Sequence, residues 1–235
     1  MTSLKPCVDI LNESQKDIYP LLSEIKDLGF VLYGGTAVSL LFGHRESVDF
    51  DLFSSKPLDD VTKFKLKNLN SVFRDSSTFQ DSENTFSMLT HSNVKISFFG
   101  GLGFGRVGEP TMTSDNILLI ASPYDLLGTK LKTLMQRVEY KDYIDIITLL
   151  ENGFDLSKGL STAINLFKNM FPVIDCLKAL VFFEGGNLSL LSNRDKTCLI
   201  RHASAVDLRR LPDMPLLSTG LSPISPKNQT SRPRL

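Results

Sequence analysis

Two aspartates one residue apart set the chemical question. Asp49 and Asp51 stand in VDFDLF, residues 48–53. At strand periodicity Val48, Phe50 and Leu52 share one face and the two carboxylates share the other. Side by side on an exposed face, they repel each other unless a positive charge sits between them. Oxygen donors of this kind suit a divalent cation such as Mg2+. Upstream, FVLY (30–33) is an apolar run fit for a buried strand, and Gly34-Gly35 lets the chain turn tightly and approach a ligand. Thr36 then opens a helix with Ala37, Leu40 and Leu41 on one face. The free N–H groups and positive dipole end of such a helix favour phosphate. The turn after the helix carries His44, Arg45 and Ser47. Arg45 brings a fork matched to phosphate, and Ser47 a hydroxyl that can hold the turn. The candidates are therefore Asp49 and Asp51 for metal, with Gly34, Gly35, Thr36, Arg45 and Ser47 for nucleotide.

The rest of the chain must position this unit. Apolar spacing predicts a first helix over 9–28, interrupted at Pro20 and capped by Gly29. A charged amphipathic helix is expected over 58–70. Strands near 71–80, 85–90 and 93–99 follow, close enough in sequence for an antiparallel meander. The glycine-dense FFGGLGFGRVGEP (98–110) lacks the following helix that a dinucleotide motif needs, and reads as a flexible surface loop. After a strand at 117–121 the texture turns helical. Ser122 caps a helix with Pro123 at its first position and Asp125 in its first turn. Leu127, Leu131 and Leu134 form its apolar stripe, with Lys130, Thr133 and Arg137 along an adjacent face. A helix ending at Gly153 and others near 156–169, 172–183 and 193–210 complete this half. The expected layout is an α/β core over 1–121, a helical subdomain over 122–211 and an unstructured Pro/Ser-rich tail over 212–235.

Composition narrows the class. The 235 residues carry zero formal net charge, 42% hydrophobic and 22% charged residues, which is ordinary for a globular protein. No global basic field exists for coating nucleic acid. Any such contact must be local, at Lys63, Lys65 and Lys67 or at Arg209-Arg210. Cys7, Cys176 and Cys198 are few and scattered, without metal-ligand spacing. No apolar run reaches the ~18 residues of a membrane span, and no signal-peptide core opens the chain. A cytoplasmic protein without membrane contact is expected.

GGTAVSLLFGHRESVDFDLF and the later DLLGTKLKTLMQRVEYKDYIDI together resemble the nucleotidyltransferase superfamily, and within it the AbiEii/AbiGii-type toxin family. The resemblance implies a mixed sheet with flanking helices, followed by a helical C-terminal subdomain. Lys130 matches the family's lysine motif and would reach a phosphate. Asp142, Tyr143 and Asp145 stand as KDYID where the family has RDxxD, and Asp142 would orient the nucleotide or take a proton. The implied activity is magnesium-dependent transfer of an NMP from a nucleoside triphosphate to an acceptor hydroxyl. tRNA is the implied acceptor and a separately encoded antitoxin the implied partner. One position departs: the strand that usually supplies a third carboxylate reads VKISFF, with Ser97 in its place. A hydroxyl does not ionise near neutral pH. Two rival readings follow, a transferase acting on a small-molecule or protein hydroxyl and a nucleotide-binding module that transfers nothing.

Overall fold

The structure, a computed structural model, describes residues 3–223. Its centre is a seven-stranded mixed sheet: β1 (Val31–Tyr33), β2 (Asp49–Phe53), β3 (Ser77–Ser82), β4 (Thr85–Leu89), β5 (Lys95–Phe99), β6 (Thr111–Met112) and β7 (Leu119–Ile120), in the order β3-β4-β5-β2-β1-β7-β6. All of β1 is buried, as its unbroken apolar run requires. β2 pairs antiparallel with β1 and parallel with β5, so it lies inside the sheet with its backbone satisfied on both sides. Its alternation is the expected one. Phe50 and Leu52 are buried, and Asp49 and Asp51 remain partly exposed on the opposite face. β3, β4 and β5 form the antiparallel meander.

The helices are α1 (Glu13–Ile18), α2 (Gly34–Phe42), α3 (Asp60–Lys67), α4 (Ser71–Asp75), α5 (Pro123–Thr133), α6 (Tyr140–Glu151), α7 (Leu156–Phe167), α8 (Val173–Val181) and α9 (Asn193–Ser204). One hydrophobic core joins the sheet to α5, α6 and α7 across residue 121. Ser122 caps α5 through the Asp125 N–H, with Pro123 at the start.

Several expectations differ from what is found. The first helix is in three pieces, of which a 3-10 turn at Val8–Ile10 comes first. Asn12 and Gln15 form a capping box that starts α1, and a 3-10 run Tyr19–Leu28 begins where Pro20 removes a donor. The strand expected from 71 starts only at Ser77. Asn70 accepts from the Phe73 N–H and nucleates α4, because that turn drives Phe73 into the core. The glycine-dense segment is anchored at its far end: Asp125 accepts the N–H groups of Val107 and Gly108, and Arg106 is 1% exposed. The expected tail divides. Residues 212–223 lie on the body, with Leu221 fully buried. Residues 224–235 lie outside the described residues.

Candidate active site

Gly34 has φ +73°, and a Cβ there would stand 2.6 Å from Asp51 Oδ2. Only glycine serves both needs, the left-handed backbone and the close approach of the carboxylate. A Cβ on Gly35 would meet the guanidinium of Arg45 at 2.2 Å. The Gly-Gly step therefore seats one acid and one base at the start of α2. Thr36 is buried, its hydroxyl 2.8 Å from that of Ser47 and bonded to the Asp49 carbonyl. The Ser47 carbonyl accepts from Gln15 Nε2 at 2.6 Å. Thr36 and Ser47 thus tie α2 to the start of β2 through their side chains.

Behind this unit, α5 and α6 supply a buried ionic cluster. Lys130 Nζ lies 2.9 Å from Asp142 Oδ1 and 2.6 Å from Asp145 Oδ2. Two of its three donors are thereby used, which leaves one for a ligand. Arg45 grips Asp145 with two N–H groups at 2.7 and 2.8 Å, and His44 Nε2 stands 2.8 Å from the same carboxylate. Arg137 holds Asp142 through Nε at 2.7 Å. Burial opposes ionisation of Asp145, yet the His44 hydrogen bond and the charges of Lys130 and Arg45 hold its carboxyl well below the usual range. Asp142 is likewise held down, with Arg137 and Lys130 outweighing its burial. Asp51 moves the other way: burial first, then the neighbouring Asp49, push its carboxyl up. An acid with a depressed pKa is a weak base, so the geometry of Asp142 suits holding Lys130 and Arg137 in place.

All this opens on one cleft of about 1290 Å³. Gly34, Gly35, Arg45, Ser47, Asp49, Asp51 and Lys130 line it, and Thr36 and Asp142 sit behind its wall. Its lining carries seven cationic side chains (Arg45, Lys95, Lys130, Lys132, Arg137, Lys141, Lys168) against three carboxylates (Glu46, Asp49, Asp51). Asp142 and Asp145 behind the wall offset Arg45, Lys130 and Arg137, and Glu139 offsets Lys141, so among the described residues Lys95, Lys132 and Lys168 are left to favour an anion. Lys63, one of the expected basic patch, is paired with Asp81. The same lining carries an aromatic wall. Phe53 stacks on Tyr33 at 4.8 Å and meets Phe99 at 5.2 Å, and Phe104 packs on Phe167 at 5.5 Å. Phe98, by alternation, is buried in the core instead.

Ser97 is the register partner of Asp51 across the parallel β2–β5 pair. It is buried and lies 3.1 Å from the hydroxyl of Ser87. Among the described residues no group of three or more His, Cys, Asp or Glu is arranged around a common metal position. The donor set is two carboxylates, which matches magnesium's habit of taking one or two carboxylates and completing its shell with phosphates and water. Sequence reasoning missed Asp145, Arg137 and the aromatic wall as parts of the site. Signals existed for the first two: Asp145 falls three residues after Asp142, and Arg137 lies on the Lys130 face.

This architecture is that of nucleotidyltransferase-like proteins. The crystal structure of an antigenic nucleotidyltransferase-like protein from Paracoccidioides brasiliensis superposes with a TM-score of 0.51 at 16% identity, covering 86% of this chain and 94% of that one. The family model described as nucleotidyl transferase AbiEii toxin, type IV toxin–antitoxin system, matches residues 21–175, and the chain belongs to that family. An uncharacterized protein of Aquifex aeolicus (strain VF5) is 28% identical over 182 residues, 74% of this chain and 85% of that protein. Among the described residues no helix is long and apolar enough to cross a membrane.

Proposed function

We propose that this chain is a magnesium-dependent nucleotidyltransferase that moves an NMP from a nucleoside triphosphate to an acceptor hydroxyl. The observation that carries this reading is the convergence on one cleft of a carboxylate pair without an ion-pair partner among the described residues, a helix start at Gly34-Gly35 and the Lys130 ammonium. Asp49 and Asp51 would hold magnesium, which when bound supplies neutralising charge to the triphosphate. The N–H groups at the start of α2 and the remaining donor of Lys130 hold phosphate oxygens. Arg45 and Arg137, their forks held by Asp145 and Asp142, add only their remaining N–H donors. Thr36 and Ser47 hold α2 and β2 in register so that the amides and carboxylates face the same ligand. Asp142 and Asp145 position the cations.

In the reaction the acceptor oxygen bonds to the α-phosphorus as the bond to the β-phosphate bridging oxygen breaks, and pyrophosphate leaves. Ser97 cannot take the acceptor's proton, which passes to solvent. Catalysis therefore rests on positioning and charge, the terms that dominate phosphoryl transfer. Lys95, Lys132 and Lys168 on the cleft lining favour a polyanionic acceptor, and we take that acceptor to be RNA, tRNA in particular. Membership of the AbiEii family supports a toxin role in the cytoplasm with a separately encoded antitoxin as partner.

A second reading rests on Ser97 alone. Without a third carboxylate the protein binds magnesium–nucleotide and transfers nothing. The test incubates the protein and Mg2+ with each of four α-labelled nucleoside triphosphates, total RNA and total protein, with Asp49→Ala/Asp51→Ala in parallel. Label in RNA, lost about a thousandfold in the variant, is expected. Label in protein instead would overturn the RNA assignment. No label, with nucleotide binding that the variant loses, would sink transfer to RNA and to protein under those conditions and favour the binding module.

A further inference from the structure

Residues 214–222 make contacts that neither the carboxylates nor the ionic cluster explain. Their exposure alternates, with Met214, Leu216, Ser218 and Gly220 turned toward the body and Pro215, Leu217 and Thr219 outward, the pattern of a strand lying on a surface. At one end Asn165 of α7 donates to the Met214 carbonyl at 2.7 Å. In the middle Arg106 and Ser218 form an antiparallel bridge: the Arg106 N–H donates to the Ser218 carbonyl at 2.9 Å, and the Leu217 N–H donates to the Arg106 carbonyl at 2.8 Å. At the far end Leu221 is fully buried and the Ser222 hydroxyl donates to the Gly29 carbonyl, just before β1, at 2.7 Å.

Each anchored element carries part of the aromatic wall. α7 ends in Phe167, the glycine-dense segment holds Phe104 two residues before Arg106, and β1 ends in Tyr33. Phe104 is the meeting point, 5.5 Å from Phe167, 6.1 Å from Tyr33 and 6.4 Å from Phe53. Gly105 joins wall to strap. Its φ is +74°, and a Cβ there would stand 2.6 Å from the Ser218 carbonyl. The fit between loop and strap is thus too close for any side chain. The family match ends at residue 175, so the strap lies beyond the matched residues.

We propose that residues 214–222 are a strap that sets the aromatic wall of the cleft, so that nucleotide affinity depends on a segment remote from the carboxylates. This rests on the reading of the cleft as a nucleotide site. The strap acts through Phe104 and touches no reacting group. A positioning element of this kind alters how the cleft fits its ligand and leaves Asp49, Asp51 and Lys130 where they are.

The test uses full-length protein labelled with fluorophenylalanine, with the 19F resonances of Phe104 and Phe167 followed in the absence of ligand. Gly105→Ala pushes a methyl group against the strap, while Asn165→Ala and Ser222→Ala each remove one strap hydrogen bond. Both resonances are expected to move in Gly105→Ala and, by less, in the other two. Dissociation constants for the four magnesium–nucleoside triphosphates are expected to rise about fivefold to tenfold, the scale of one lost hydrogen bond. Should Gly105→Ala fail to fold, the two milder variants carry the test. Unmoved resonances overturn the strap, and so do moved resonances with unchanged affinity. A wild type that binds none of the four nucleotides sinks the transferase reading, and the resonances then decide alone whether the strap sets the wall.

Discussion

Asp49 and Asp51 sit two residues apart on a strand, and among the described residues neither forms an ion pair. Asp142 and Asp145 sit three apart on a helix, with Lys130, Arg45, Arg137 and His44 packed around them. Both pairs belong to one site, yet their electrostatics are opposed. The helix pair is buried and held in its charged form by donors the chain supplies. The strand pair has no such donors, and burial and then Asp49 push Asp51 up. Carboxylates that a fold satisfies by itself hold structure, and carboxylates that it leaves repelling are available for a cation from outside. The contrast gives each pair a different response to mutation, to pH and to metal.

The largest stability effect falls on the helix pair. Asp145→Ala strips three side chains, His44, Arg45 and Lys130, of their shared acceptor and leaves buried positive charge uncompensated. Breaking such a pair costs about 3–5 kcal/mol. Urea unfolding is expected to register that loss, whereas Asp51→Asn should unfold no earlier than wild type without metal. Equal losses in the two variants would erase the distinction between the pairs.

How far the sequence foretold this contrast depends on the range of the interactions. Local signals were enough for β2, whose alternation is written in VDFDLF, for the start of α5 at Ser122-Pro123, and for Gly34-Gly35. Lys130 and Asp142 were reached only through family resemblance, since a lysine and an aspartate on separate helices carry no periodic signal that they meet. Asp145 was named only as part of the KDYID match and given no role, for the same reason: its partners Arg45 and His44 lie about a hundred residues away. The early residues of α4 read as strand because the burial of Phe73 and the Asn70 cap override its β-branched neighbour Val72. The strap was read as tail from its prolines and serines. Composition reports what a segment lacks, and the strap is held by backbone hydrogen bonds and by Leu221.

Acidity separates the pairs by sign. The carboxyls of Asp142 and Asp145 are lower in the folded chain than in the unfolded one. Their stabilisation is therefore complete above the ordinary carboxylate pKa of about 4 and is lost as pH falls through it toward the folded values. Asp51 runs the other way. Its folded pKa is raised, so ionisation destabilises the fold at neutral pH, and that penalty fades as pH falls through the raised value toward the ordinary one. Unfolding in urea at a series of pH values should show wild type losing stability steeply below about pH 4. Asp51→Asn should gain over wild type at pH 7 and lose that gain by about pH 4. A gain that persists in acid would mean that the substitution acts through packing.

The smallest effect is the most direct probe of the strand pair. A ligand that binds only the folded chain stabilises it by RT ln(1 + [L]/Kd), about 1.4 kcal/mol at ten times Kd, or about 3–5 °C in Tm for a chain of this size. Magnesium chloride at constant ionic strength should raise the Tm of wild type by that amount. Sodium chloride of equal ionic strength controls for screening, which acts on every exposed charge alike. Asp51→Asn removes one donor and the repulsion that makes a cation favourable, so it should begin with the higher Tm and respond little to magnesium. The two curves then converge as metal is added, because the ion supplies the wild type with what the substitution removes. Parallel curves would mean that magnesium binds elsewhere, and that the strand carboxylates carry their repulsion without a cation.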